Sequence, residues 1–176
     1  MNKELIRREV AQAKAALSAE QRRAEAEAVW TRVEASEDFR AARTVLAYCS
    51  LPDELETESF LERWSGSKRL AVPVVEGSRL ILKEYSPDKL HKGYKGISEP
   101  DAGCPQIGPE EIDFAIIPGV AFTREGWRLG RGKGFYDRLL PELNCPKVGV
   151  AYSCQILDSL PIEPHDARLS AVVSPA

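Results

Sequence analysis

The sequence predicts an α/β fold: a three-layer α/β/α sandwich around a mainly parallel, Rossmann-like sheet, with two N-terminal helices. Three observations lead there. Short β-branched or apolar runs alternate with helix-forming stretches along most of the chain. Several of these runs are apolar throughout rather than alternating, as strands buried on both faces of a parallel sheet are. The first 36 residues carry helical periodicity instead.

In that first stretch Leu5, Ile6, Val10, Ala13 and Leu17 recur at helical spacing, with Lys3, Arg7, Arg8 and Lys14 on other faces. Ser18 followed by Gln21 is a capping-box pair. A second helix therefore starts there and carries Val29, Trp30 and Val33 inward. The strand candidates are "TVLAYCS" (44–50), "RLAVPVV" (69–75), "RLILKEY" (79–85), "DFAIIPG" (113–119), "KVGVAY" (147–152) and "SAVVS" (170–174). Between them lie two helix candidates. One is "TESFLERW" with Thr57 as its N-cap, and the other is "GFYDRLLPEL", stopped near Pro141 to Pro146. The run at 79–85 has no helix before it, so a hairpin at one sheet edge is expected there. No composition shift splits the chain, and one domain over 1–176 is expected.

A chain of 176 residues can bury a real core, since burial becomes comfortable near roughly 150 residues. The net charge of −3 supplies no global field for nucleic acid or an anionic membrane, so any anion site must be local. No apolar stretch approaches the ~20 residues that span a bilayer. The N-terminus lacks the apolar core of a secretory signal, and a cytoplasmic protein is expected. Cys49, Cys104, Cys145 and Cys154 form no CxxC pair and read as free thiols. His91 and His165 are too few and too far apart for a zinc site.

The unusual chemistry falls in loops that follow strand ends, where open α/β sheets bind ligands. In "RLGRGKGFYD" (128–137), Arg128, Arg131 and Lys133 interleave with Gly130, Gly132 and Gly134. Glycines let backbone N–H groups close on an anion, guanidiniums grip phosphate oxygens in pairs, and a helix starting near Gly134 adds partial positive charge. Asp137, one turn into that helix, suits Mg2+. The stretch is not a P-loop, because Trp127 and Gly134 stand where Gly and Ser/Thr belong. It is not a dinucleotide fingerprint either, because Phe135 holds the third glycine's place. On residue chemistry alone, a phosphate or carboxylate cradle and a solvated turn both remain open. No aromatic-interleaved basic strand accompanies the loop, which speaks against RNA.

"PGVAFTREGWRLGRGKGFYDRLL" (118–140) resembles the signature of the 5-formyltetrahydrofolate cyclo-ligase family, also called methenyltetrahydrofolate synthetases. Lys3 and Arg7 with "LSAEQR", then "SLPDELET", "VPVV", "KGISEP" and "PIEPHD", resemble that family's other landmarks, in its order. The resemblance implies an ATP-dependent conversion of 5-formyltetrahydrofolate to 5,10-methenyltetrahydrofolate, with release of ADP and phosphate. Phosphorylation of the formyl oxygen and ring closure by N10 would carry it.

The same resemblance implies site residues. Lys3, Arg7, Arg128, Gly130, Arg131, Gly132, Lys133, Gly134 and Asp137 would bind ATP, with Lys133 and Arg131 catalytic. Leu51, Glu54, Tyr94, Lys95 and Phe135 would bind the folate, Glu54 by accepting pterin N–H groups. Gly96 and Glu99 would complete the wall around Tyr94. Asp137 and Asp166 would hold Mg2+. The expected partners are small molecules only, with no nucleic acid and no membrane, and the protein is expected to be a monomer. Two departures stand out: Phe135 replaces the first tyrosine of the family's "GYYD", and Ser170 replaces an acid often found before the closing strand. Trp64 and Trp127 are read as packing residues. A binding protein without catalysis, and another ATP-dependent enzyme acting on a small carbonyl substrate, are the rival readings. Retention of Lys133, Asp137 and Asp166 speaks against the first, and Glu54 against the second.

Overall fold

The computed structural model describes residues 2–176. Helix α1 (Lys3–Ala15) is capped by Asn2, whose side chain accepts from the Glu4 and Leu5 amides. Helix α2 (Ala19–Ala35) has both halves of the expected Ser18–Gln21 capping box, an arrangement worth about 1 kcal/mol. A short α3 (Glu37–Ala41), not separately legible in the sequence, follows and is capped by Ser36. Then come β1 (Thr44–Leu46), α4 (Glu58–Trp64), β2 (Arg69–Glu76) and β3 (Arg79–Glu84). The small strands β4 (Leu90–Lys92), β5 (Ser98–Pro100) and β6 (Gln106–Ile107) precede β7 (Phe114–Ile117). Strands β8 (Ala121–Phe122) and β9 (Arg128–Leu129), helix α5 (Phe135–Leu139), β10 (Lys147–Val150) and β11 (Ala171–Val173) complete the chain.

Seven strands form the central sheet in the order β11-β10-β7-β1-β2-β3-β6. The five from β11 to β2 are mutually parallel. β3 returns antiparallel to β2 through a hairpin, as the missing helix implied. It is not the edge, however, because the two-residue β6 pairs outside it. A strand that short leaves no periodic signal in the sequence.

Alternation along the buried strands divides the core in two. Val45 and Ala47, with Leu70, Val72, Phe114 and Ile116, pack under Trp30, Val33, Phe39 and Phe60 from α2, α3 and α4. Leu46, Ala71, Ala115 and Ile117 face the other way, toward Leu139, Leu140 and Leu143. Each large side chain buried this way stabilises the fold by about 1.5–3 kcal/mol. Trp30 stacks on Phe60 with ring centroids 4.6 Å apart, and its indole N–H donates to the Glu56 carbonyl at 2.7 Å.

Helix α1 packs separately, setting Ile6 and Val10 on Val120, Ala121 and Leu129. Two expectations about its faces need correction. Leu5 is exposed, and Lys14, assigned to a polar face, is buried with its amine 3.3 Å from the Asp53 carboxylate. An ion pair across the helix-loop junction thus outweighs the apolar spacing. Thr57 stands at the predicted N-cap position of α4, but not as a side-chain cap. Its side chain makes no cap bond; the hydroxyl donates to the Tyr48 carbonyl at 2.6 Å and accepts from the Ser50 amide. Thr57 therefore fastens the loop after β1, a stronger demand than capping a seven-residue helix.

Candidate functional site

From β1 the chain leaves on one side to β2 and returns on the other side to β7. Connections diverge at such a point and leave a crevice beyond the strand ends. The loops following β1, β7 and β10 meet there around a cavity of about 370 Å³. Apart from Gly96, the residues proposed from the sequence for ATP, folate, catalysis and metal line this cavity, from Lys3 and Arg7 through Leu51 and Glu54 to Asp137 and Asp166.

The cationic loop hangs on a two-stranded ribbon where the sequence shows only a loop. β8 and β9 pair antiparallel, joining Phe122 to Arg128. The Arg128 guanidinium is only 8% exposed. Its Nε donates to the Pro118 carbonyl at 2.6 Å, and its carbon lies 5.0 Å from the Tyr136 ring centroid. Burial lowers the Arg128 pKa from its ordinary value, opposed by the negative ends of Tyr136, Asp137 and Glu54. Burial likewise pushes the Tyr136 phenol upward, helped by the Glu54 charge. Arg128 is thus a fixed charge in the floor of the cavity, whereas Arg131 and Lys133 are exposed above it.

Gly132 and Gly134 have φ of +104° and +72°. Side chains rarely adopt such angles, which is why glycine alternates with cation here. The anticipated helix from Gly134 is shorter than its sequence suggested. Regular turns end at Leu139 and a 3-10 turn continues through Glu142, because Pro141 has no N–H to offer. The helix therefore adds little dipole, and the loop's amides and side chains make up the positive surface. Arg138, unnoticed in the sequence, holds the loop from below by donating to the carbonyls of Lys133 at 2.9 Å and Ser78 at 2.9 Å.

Helix α1 supplies two further cations. The Arg7 Nε donates to the Gly130 carbonyl at 2.9 Å, and the guanidinium also pairs with Glu4. The Lys3 amine lies 3.3 Å from the Glu163 carboxylate. Both line the cavity, but each reaches a different flanking loop.

The loop after β1 carries Glu54. Its Oε1 accepts from the Leu51 amide at 2.8 Å, and its Oε2 lies 3.8 Å from Arg131. Burial raises the Glu54 pKa above its ordinary value; the Leu51 amide and Arg131 offset this only partly. Two buried tyrosines steady the same loop, Tyr48 donating to the Leu55 carbonyl and Tyr152 to the Glu54 carbonyl. Opposite, Tyr94 meets Phe135 edge-on at 5.8 Å, and the Lys95 amine lies 5.6 Å from the Tyr94 ring centroid. Glu99 is buried, with its carboxylate against the Tyr94 amide and the His91 ring. Gly96 borders a neighbouring cavity of about 960 Å³ that shares Leu51, Glu54 and Ile97 with the first.

Asp137 lies 3.8 Å from Arg128. Asp166 accepts from the Glu163 amide at 2.8 Å. Among the described residues no cluster of three or more acids, histidines or cysteines could cage a metal ion. Two carboxylates beside a cationic loop still fit Mg2+, which keeps waters and takes its other oxygens from substrate phosphates. Ser170 lies elsewhere, its hydroxyl accepting from the Lys147 amide at the start of β10. Trp64 packs edge-on to Phe39, and neither Trp64 nor Trp127 lines the cavity.

Sequence reasoning missed Tyr48, Cys49, Pro73, Val75, Leu80 and Tyr136, which also line the cavity. Apart from Tyr136 they lie in or beside strands, where apolar runs signal core and say nothing of a ligand wall. The Cys49 thiol is pushed up to about 11, chiefly by burial. It is therefore neutral at ordinary pH and serves as wall rather than nucleophile.

The profile of the 5-formyltetrahydrofolate cyclo-ligase family matches residues 1–175. The chain belongs to that family. It is 34% identical over 176 residues to the 5-formyltetrahydrofolate cyclo-ligase of Escherichia coli, covering 95% of this chain and 97% of that one. Its fold is similar to the Aquifex aeolicus 5,10-methenyltetrahydrofolate synthetase, with a TM-score of 0.90 at 37% identity over 99% of this chain and 90% of that one. The corresponding Mycoplasma pneumoniae synthetase gives a TM-score of 0.81 at 26% identity, covering both chains fully. The cyclo-ligase family is one of ligases that convert 5-formyltetrahydrofolate to 5,10-methenyltetrahydrofolate at the expense of ATP.

Proposed function

We propose that this cavity is where the family's ring closure takes place, with ATP on the cationic loop and the folate between Glu54 and the Tyr94–Phe135 pair. The observation that carries the reading is the placement of a half-engaged, partly buried carboxylate and an exposed polycationic loop in one cavity, with Arg131 between them. A pterin offers amino and ring N–H donors, which Glu54 Oε2 is placed to accept. A triphosphate offers the charge that Lys3, Arg7, Arg128, Arg131 and Lys133 neutralise.

The formyl oxygen attacks the γ-phosphorus of ATP and ADP leaves, giving an iminium phosphate at N5. N10 then attacks the former formyl carbon and loses its proton. Expulsion of phosphate completes the 5,10-methenyl product. Such phosphoryl transfer asks for in-line placement and charge neutralisation more than covalent help. Lys133, on a glycine-flanked and exposed backbone, follows the charge as it moves to the bridging oxygen, and Arg131 holds the equatorial oxygens. Arg128, fixed by Pro118, sets the floor. Asp137 and Asp166 would hold Mg2+, which would supply charge neutralisation at the phosphates. The enzyme is taken to act as one domain and one subunit in the cytoplasm. Among the described residues no helix is long and apolar enough to cross a membrane.

The decisive experiment mixes protein, MgATP and 5-formyltetrahydrofolate and follows methenyltetrahydrofolate by its near-ultraviolet absorbance. Product formation at a rate proportional to protein is expected. No product from folded protein at high concentration overturns the reading.

A further inference from the structure

One ion network is not accounted for by the chemistry above. Asp53, beside Glu54, accepts from Arg131 Nη2 through both carboxylate oxygens, at 2.8 and 3.0 Å. Its Oδ2 also lies 3.3 Å from the Lys14 amine, donated from α1. Three segments distant in sequence thus meet on one carboxylate: the first helix, the loop after β1 and the glycine-rich loop.

We propose that Asp53 is a positioning residue that acts through Arg131, tying the Glu54 loop to the glycine-rich loop so that each substrate organises the site for the other. The inference rests on the reading of the site given above.

The network has a fixed part and a movable part. The Lys14 side chain is 4% exposed, and a buried ammonium that loses the carboxylate it pairs with pays a heavy desolvation penalty. Asp53 is therefore held to Lys14. It also sits in a tight turn, where the Glu54 amide donates to the Leu51 carbonyl at 3.0 Å. The Arg131 side chain is 47% exposed and rides on a loop with left-handed glycine beside it. Arg131 is thus the arm, and Asp53 the post that sets its reach. Burial alone would raise the Asp53 pKa, but the Arg131 hydrogen bond and the Lys14 charge outweigh it and hold the carboxyl below its ordinary value. Asp53 is thus a charged anchor throughout the neutral range.

Because Glu54 is the next residue and lies 3.8 Å from the same guanidinium, a folate that seats Glu54 also seats Asp53, and through it Arg131. A nucleotide that orders Arg131 seats Glu54 in return. Coupling between sites is reciprocal by linkage, and coupling energies ordinarily correspond to about 5- to 150-fold in affinity.

The test measures the dissociation constant of a non-hydrolysable ATP analogue with Mg2+, with and without saturating 5-formyltetrahydrofolate. Wild-type protein should bind the analogue at least about five-fold more tightly when the folate is present. Asp53→Asn should reduce that ratio below about two-fold and raise KM for both substrates more than it lowers kcat. Asp53→Glu should restore part of it. In an Arg131→Gln background, Asp53→Asn should add no further loss, which a merely structural role would not predict. Lys14→Met fills the same buried space without charge, so it tests the post even where Asp53→Asn melts early; it too should weaken the coupling. Equal analogue affinity with and without folate in the wild type overturns the proposal. So does wild-type coupling in both Asp53→Asn and Lys14→Met, or full additivity with Arg131→Gln. Absence of any methenyl product from the wild type would instead count against the site reading itself.

Discussion

Arg7, in the second turn of the first helix, donates its Nε to the Gly130 carbonyl 2.9 Å away, 123 residues along the chain. The glycine-rich loop is therefore shaped partly by a helix that lies outside the sheet layers.

Arg7→Ala should raise KM for ATP about ten-fold with a smaller effect on KM for 5-formyltetrahydrofolate, because it removes both a loop clamp and a cation of the cavity. Steady-state kinetics with each substrate varied in turn checks this. Equal changes in both constants would mean that Arg7 supports the fold rather than the phosphate site.

Lys133→Ala should lower kcat by about 10²- to 10³-fold, the loss expected when one charge-stabilising group leaves a transition state. Lys133 is exposed on its loop, so thermal melting should stay within about two degrees of wild type, surface substitutions being worth under ~0.5 kcal/mol. Wild-type turnover in this variant would remove Lys133 from the mechanism.

The sheet was readable because parallel strands buried on both faces must be apolar throughout, and "TVLAYCS", "DFAIIPG" and "KVGVAY" all contain strands of the parallel core. The hairpin after Glu76 was readable from a missing helix. β6 and the β8–β9 ribbon were not, because two-residue strands are defined by their partners and leave no period of their own. Site residues were legible where chemistry is dense, as from Arg128 to Asp137, and where a family landmark stood, as at Glu54. Lys14 and Asp53 escaped because a lysine in a helix and an aspartate in a turn are ordinary one by one. Only the fold brings them to 3.3 Å. Thr57 was legible as the residue that starts α4, but not the use of its hydroxyl, which is taken by the Tyr48 carbonyl.

Asp137→Asn should raise the Mg2+ concentration needed for half-maximal rate several-fold, since magnesium sites of this kind depend on one or two carboxylates. Asp137 is half exposed, so the variant should fold as wild type does. Titrating the rate with Mg2+ at fixed ATP checks it. An unchanged midpoint would leave Asp137 as a counter-ion to Arg128, and Asp166→Asn measured alongside would then show whether the other carboxylate holds the metal alone.

Glu54 sets function against stability. Burial raises its pKa, so the native state keeps a proton at pH values where the unfolded chain has already lost it. Stability contributed by this group therefore falls as pH rises from the unfolded value through the folded one, and above both the desolvated carboxylate is a standing cost. Glu54→Gln, which retains an acceptor for the Leu51 amide, should raise the melting temperature at neutral pH. The gain should disappear below about pH 4, where carboxyls are protonated in either state. Binding should move the opposite way, because a glutamine offers one acceptor and two donors to a pterin edge that presents donors. Affinity for 5-formyltetrahydrofolate should drop at least about ten-fold at neutral pH. In the wild type that affinity should weaken on acidification, at a higher pH than an ordinary carboxyl would give, and the variant should lack this step. Melting curves and folate titrations across the acid range measure both limbs. A lower neutral melting temperature for the variant, or a gain that persists undiminished in acid, would show that Glu54 is held by attractions stronger than its burial penalty.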